Sequence, residues 1–180
     1  MKNGSNQTLR CFVDRVETPI GTMMMAADTD GKLRVALFTE DEEDLRRYLR
    51  LQVGAKGFTL ESTDNPHGLT SAISRYFAGE LGIIDALRVE TGGTPFQQDV
   101  WRALRAIPCG STTSYGALAA QIGRPAAVRA VGLANGSNPV AVVVPCHRVI
   151  GANGSLTGYG GGIERKRWLL DHEMRPNLLF

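Results

Sequence analysis

Long apolar runs are missing. None approaches the roughly 18 residues that cross a bilayer as a helix, so no transmembrane helix is expected. Met1 to Arg10 is polar, carries Gly4, Ser5 and Asn6, and lacks the apolar core of a signal peptide. These first residues are expected to form a disordered lead-in, and a cytoplasmic location is the default. Cysteine is scarce, with Cys11, Cys109 and Cys146 widely spaced. An odd count at such spacings argues against a disulfide framework and points to at least one free thiol in a reducing compartment. No Cys-x-x-Cys pair occurs and there are three histidines, so no zinc cage is expected. The glycines at 158 and 160–162 lack phosphate-loop spacing, so no nucleotide cofactor is expected either.

What is present suits one ordinary domain or two small ones: 180 residues, 43% of them hydrophobic. That supports a core, expected to be split between two halves. The net charge of +2 hides an asymmetry. Residues 1–92 hold 11 Lys and Arg against 14 Asp and Glu, leaving −3, while residues 93–180 hold nine against four, leaving +5. A basic second half beside an acidic first half suggests that the second half meets a polyanion.

Residues 9–38 predict an antiparallel meander. Strands over Leu9–Val16, Thr22–Ala27 and Leu33–Phe38 are separated by turns at Thr18–Gly21 and Asp28–Gly31. Asp41–Gln52 predicts a helix, acidic at its start and basic at its end. A short strand at Phe58–Glu61 and a helix at Leu69–Ala78 follow, with His67 read as a surface histidine in the loop between them. Val89–Thr94, containing Gly92 and Gly93, reads as a boundary between a domain of residues 1–92 and one of residues 93–180.

Beyond that boundary, Thr94-Pro95 caps a helix with Phe96, Val100, Trp101, Leu104 and Ile107 at helical spacing. Ser114 caps a helix running to Ile122, Gly123 turns the chain, and Arg124-Pro125 opens a helix over Ala126–Asn135. Helix, tight glycine turn, helix is the pattern of a helix-turn-helix. The second helix carries small residues and Arg129 as its only charge, so it can either press closely into a groove with little sequence choice or pack as a core helix. A last helix is predicted over Ile163–Glu173.

The chemistry concentrates at Val142-Val143-Val144-Pro145-Cys146-His147-Arg148, where a β-branched, strand-like run meets a loop. Loops on rigid scaffolds present reactive groups accessibly. A thiol with an ordinary pKa near 8.5 needs a base, and His147 is the adjacent one. A carboxylate could orient the imidazole, and Glu173 is the best acid among the later residues.

From Gly93 to Glu173 the chain resembles the O6-alkylguanine-DNA alkyltransferases, the methylated-DNA–protein-cysteine methyltransferases. The matching text includes Thr94-Pro95-Phe96-Gln97, Ile107-Pro108-Cys109-Gly110, Ser114-Tyr115-Gly116, Arg129-Ala130-Val131-Gly132, Pro145-Cys146-His147-Arg148-Val149 and Lys166-Arg167-Trp168-Leu169-Leu170. Tyr76-Phe77-Ala78-Gly79 resembles the constitutive bacterial member, and the first 60 residues do so in outline.

The resemblance implies an α+β protein. Its first domain would be α/β with a small antiparallel, ribonuclease-H-like sheet, and its second a mostly helical, winged helix-turn-helix-like domain. It implies irreversible transfer of the alkyl group of O6-alkylguanine, and of O4-alkylthymine, to Cys146, one lesion per molecule. The base is flipped out of double-stranded DNA approached from the minor groove, and the protein acts as a monomer or cooperatively along DNA. His147 would be the base through a water, Glu173 its orienting acid, and Asn138 the brace of the nucleophile's turn. Tyr115 and Lys166 would help neutralise the departing guanine. Arg129 would take the flipped base's place, with Ser114, Tyr115, Ala130 and Gly132 beside it on the DNA, and Asn135, Val149, Tyr159 and Gly160 would line the pocket.

Two departures from the family text bear on the pocket. Gly160 stands where many relatives have serine, and Ala141 where some have proline, which implies room for groups larger than methyl. The zinc that some relatives carry in the first half is not expected, since Cys11 and His67 alone cannot build its site. Two other functions fit the residues without the resemblance: a helix-turn-helix module that binds DNA without chemistry, and a cysteine hydrolase using Cys146 and His147.

Overall fold

The computed structural model describes residues 8–174. Met1–Gln7, most of the expected disordered lead-in, lie outside the described residues, while Leu9 and Arg10 already belong to a strand.

The expected meander forms from β1 (Leu9–Thr18), β2 (Gly21–Asp28) and β3 (Leu33–Phe38), each pair antiparallel. The sheet is not wholly antiparallel as expected. The strand β4 (Phe58–Ser62) returns beside β1 in parallel, giving the order β3-β2-β1-β4. Its parallel direction follows from the connection: helix α1 (Glu42–Val53) crosses the sheet between β3 and β4 and reverses the chain. Asp41 caps α1 by accepting from the Glu43 amide, which fixes the start one residue later than the acidic run suggests.

The sheet is buried on both faces, and β2 shows why its Met23–Ala27 run is apolar without alternation. Met23, Met25 and Ala27 enter the main core, and Met24 and Ala26 enter a second cluster with Cys11, Val13, Val35 and, from α1, Leu45 and Leu49. The core therefore divides at the sheet and not, as expected, between the two halves of the chain. Its main cluster joins Met23, Ile73 and Tyr76 to Val100, Leu104, Val144 and Leu169. The outer edge of β3 is closed by two later segments. Leu33 pairs with residues 88–90, and Ala36 donates to the Pro139 carbonyl at 2.9 Å and accepts from the Ala141 amide at 2.8 Å.

The helices of the second half follow expectation with shifted ends. Thr94 and Gln97 form a capping box at the start of α3 (Pro95–Arg105), with α2 (Leu69–Phe77) lying before it in the chain. The Ser114 hydroxyl caps α4 (Tyr115–Gln121), accepting from the Ala117 amide at 3.1 Å. The next helix, α5, starts at Val128 and not at Ala126, because residues 124–127 are spent on a turn closed by the Ala127 amide on the Arg124 carbonyl. It runs to Gly136, and α6 spans Ile163–Met174. Two short strands, β5 (Thr113–Ser114) and β6 (Val149–Ile150), pair in parallel beside them. Among the described residues no helix is long and apolar enough to cross a membrane.

Candidate active site

The run before Cys146 is not a strand. Val140–Val144 folds into successive tight turns, with the Val143 amide donating to Ala141, Val144 to Val140, and Cys146 to Val144. Val142 sits at φ 71°, a left-handed conformation that costs a β-branched residue about 1–2 kcal/mol. Two things offset that cost. All four valines of the segment are buried, and Asn138 holds the turn from inside. Its Oδ1 accepts from the Val140 amide at 3.0 Å, and its Nδ2 donates to the Val144 carbonyl at 2.7 Å and faces Cys146 Sγ at 3.1 Å.

Cys146 opens a short 3-10 turn, Cys146–Arg148, all of it buried. The thiol is less accessible than a loop position suggests: Cys146 is only 6% exposed and forms part of the wall of a cavity of about 130 Å³. Phe38, Asn135, Ala141, Tyr159 and Gly160 are also in that wall. Burial pushes the thiol pKa up, against the opposing pull of the Asn138 hydrogen bond and the Lys166 charge. At rest the sulfur is protonated, so reaction requires a base.

His147 stands ready for that role. Its Nε2 lies 2.8 Å from Glu173 Oε1, and the imidazole is fully buried. Burial holds His147 below its usual pKa despite the nearby carboxylate, so the ring is neutral. For Glu173, burial acts upward but is outweighed by hydrogen bonds from His147 and Arg148, and its carboxyl stays well below the usual range. An ionised acceptor at Nε2 fixes the tautomer with its proton on Nε2 and its lone pair on Nδ1. Nδ1 has no partner within the described protein, nor do the buried Asn135 Oδ1 and Tyr159 hydroxyl. Asn135 and Tyr159 share the cavity wall with the thiol, and a buried polar atom with no protein partner is one that water or a bound molecule can satisfy.

The remaining site residues fall into groups. Asn135, on the buried face of α5, points its Nδ2 toward the Cys146 carbonyl at 3.4 Å. Arg129 and Ala130 lie exposed on the same helix, and the α-carbon of Gly132 faces the Tyr115 ring. Tyr115 donates its hydroxyl to the Thr157 carbonyl at 3.1 Å. Lys166 is fully buried, and its ammonium donates to the carbonyls of Val149 at 2.6 Å and Thr157 at 2.9 Å. Val149 is fully buried and packs in the main core. Cys11 and Cys109 have thiol pKa values pushed up to about 11, chiefly by burial. Among the described residues no group of three or more His, Cys, Asp or Glu is arranged to hold a metal.

Two residues of the site were not singled out from sequence. Arg148 grips Glu173 with two hydrogen bonds, Nε to Oε2 at 2.8 Å and Nη2 to Oε1 at 2.9 Å, and donates to the Ile107 carbonyl at 2.6 Å. Tyr76, from the first half of the chain, donates its hydroxyl to Glu173 Oε1 at 2.7 Å. A sequence signal existed for the second. Leu69, Ala72, Ile73 and Tyr76 lie at helical spacing on one buried face, and a buried tyrosine hydroxyl needs a partner.

Comparison with known proteins identifies the family. The family model described as 6-O-methylguanine DNA methyltransferase, DNA binding domain, matches residues 95–175. A methylated-DNA–protein-cysteine methyltransferase of Salmonella typhimurium is 50% identical over 165 residues, covering 92% of this chain and 96% of that protein. The chain belongs to the methylated-DNA–protein-cysteine methyltransferase family. Another protein of that name, from Mycobacterium tuberculosis, is 46% identical over 158 residues, 88% of this chain and 89% of that one. The crystal structure of the O6-methylguanine methyltransferase of M. tuberculosis superposes with a TM-score of 0.73 at 40% identity, covering 96% of this chain and 98% of that one. The M. tuberculosis OGT in complex with DNA gives the same score at 43% identity, with 92% of each chain covered. The mixed α+β architecture is thus that of the family.

Proposed function

We propose that this protein repairs DNA by moving the alkyl group of O6-alkylguanine, and of O4-alkylthymine, onto Cys146, once per molecule. The observation that carries the reading is the buried chain from Glu173 through the neutral imidazole of His147 to the turn that holds a protonated thiol at a cavity. The thiol proton passes through a water to His147 Nδ1. The sulfur lone pair then forms a bond to the alkyl carbon as the carbon–oxygen bond breaks, and the electron pair leaves with guanine, which regains a proton. Nothing reverses the thioether, so the protein is consumed.

On this reading residues 1–92 form a ribonuclease-H-like domain and residues 93–180 a winged helix-turn-helix-like one. The second approaches duplex DNA from the minor groove as a cytoplasmic monomer. Arg129, exposed at the start of α5, fills the gap left by the flipped base, with Ser114, Tyr115, Ala130 and Gly132 along the strand. Lys166 fixes the loop behind the pocket through its carbonyl contacts, and its charge with the Tyr115 hydroxyl favours the departing guanine.

The test is mass spectrometry of the Cys146 peptide after incubation with duplex DNA bearing O6-methylguanine. A permanent gain of one methyl, absent in Cys146→Ser while DNA binding persists, is expected. DNA binding without any adduct would instead favour a module without chemistry, and hydrolytic turnover without DNA a hydrolase.

A further inference from the structure

The buried chain does not stop at Glu173 but continues into the other half of the molecule. Tyr76 lies on α2, and its hydroxyl meets Glu173 Oε1, the same oxygen that faces His147 Nε2. A second contact ties the two helices at the neighbouring position. His172 Nε2 lies 2.8 Å from the Tyr76 backbone carbonyl, and the two rings meet edge to face at 5.3 Å. Tyr76 is fully buried. We propose that Tyr76 is a positioning residue for the alkyl transfer, setting how much of the Glu173 charge reaches His147; the inference rests on the transfer reading above.

The physical argument concerns sharing of one oxygen. Oε1 accepts from Tyr76, from Arg148 Nη2 and from His147. Each donor withdraws electron density, so each weakens the pull of the carboxylate on an imidazolium. The charged and titratable groups facing this centre are Lys166, His172 and Glu173 from α6, Arg148 and Cys146 from the 3-10 turn, Cys109 from the loop after α3, Tyr159 from the glycine-rich loop, and Tyr76 from α2. Among these, Tyr76 and Arg148 donate to Glu173 at short range besides His147, and the Cys109 thiol bears on it more weakly. Burial and the adjacent carboxylate push the Tyr76 phenol far up, so it remains a donor at every working pH.

Removing the hydroxyl concentrates charge on His147 and raises its proton affinity. The imidazole then protonates, and ceases to act as a base, at a higher pH. Single-turnover transfer from O6-methylguanine duplex DNA to Cys146 is to be followed by peptide mass over about pH 5 to 9. Tyr76→Phe is expected to slow transfer about tenfold at neutral pH, the order of one hydrogen bond to a charged group, and to move the acid limb of the profile upward. A 3,5-difluorotyrosine at position 76 keeps the ring and donates more strongly, so it is expected to move the limb downward. A residue serving only to support the fold would move neither limb.

If wild type forms the adduct and neither limb moves, this inference falls while the transfer reading stands. If wild type forms no adduct, both fall. Should Tyr76→Phe not fold, the difluorotyrosine protein decides the matter alone, and an unmoved limb overturns the inference.

Discussion

Asn138 Nδ2 stands 3.1 Å from Cys146 Sγ and 2.7 Å from the Val144 carbonyl, so one amide both faces the nucleophile and braces its turn. Asn138→Ala is expected to cost about 1–3 kcal/mol of stability, since it leaves buried carbonyl and amide groups unpaired. Asn138→Asp brings a negative charge to the sulfur and raises the thiol pKa further. Denaturant unfolding and the pH dependence of iodoacetamide labelling at Cys146 check the two effects.

Glu173 and His147 give the protein a defined acid response. Both groups have depressed folded pKa values, so each contributes stability that is full above its unfolded pKa and is lost as pH falls toward its folded one. The His147 contribution begins to fade below about pH 6.5, and that of Glu173 below about pH 4.3. Glu173→Gln is expected to flatten the lower part of the curve. It should also lower stability at neutral pH by about 3 kcal/mol or more, because Arg148 is left buried without its anion. Urea midpoints measured from pH 3 to 8 would test both, with those limits set at about the titration range of carboxylate and imidazole.

Arg129 is exposed on α5, away from the thiol's hydrogen-bond network. Arg129→Ala is therefore expected to slow transfer from alkylated duplex DNA at least about tenfold, in line with loss of a base-flipping contact worth a few kcal/mol. Transfer from free O6-benzylguanine should be unchanged. Equal losses on both substrates would remove Arg129 from the DNA step.

Ala141 is part of the cavity wall, where a larger residue would take space from the alkyl group. Ala141→Leu is expected to slow transfer from O6-butylguanine DNA about tenfold more than from O6-methylguanine DNA, as one or two methylenes excluded from a pocket would do. Competition between the two substrates for limiting protein reads the ratio directly.

The sequence made the strands and helices legible because turn residues and periodicity mark them locally: Asp28–Gly31 at one end of the meander, Thr94-Pro95 and Ser114 at helix starts. It misdirected at Val142–Val144, where a β-branched run reads as strand. There the decision lies with Asn138, whose side-chain hydrogen bonds stabilise a turn that local preference disfavours. The direction of β4 and the reach of Tyr76 to Glu173 were equally out of view. Both depend on where the chain returns in space, and Tyr76 stands 97 residues from its partner. Glu173 could be chosen as the acid from sequence, whereas Arg148 could not, because a charged side chain reads as solvent-facing until its partner is known.

The pairing of Ala36 with Pro139 and Ala141 has a bearing on solubility. It covers the backbone of β3 at the rim of the sheet with the very segment that leads to the thiol. A strand rim stripped of such cover is a template for joining other chains. Changes that loosen residues 139–144 are therefore expected to produce aggregates in proportion to the time that segment spends detached. Expression yield and light scattering of the Asn138 variants would register this before any assay of alkyl transfer.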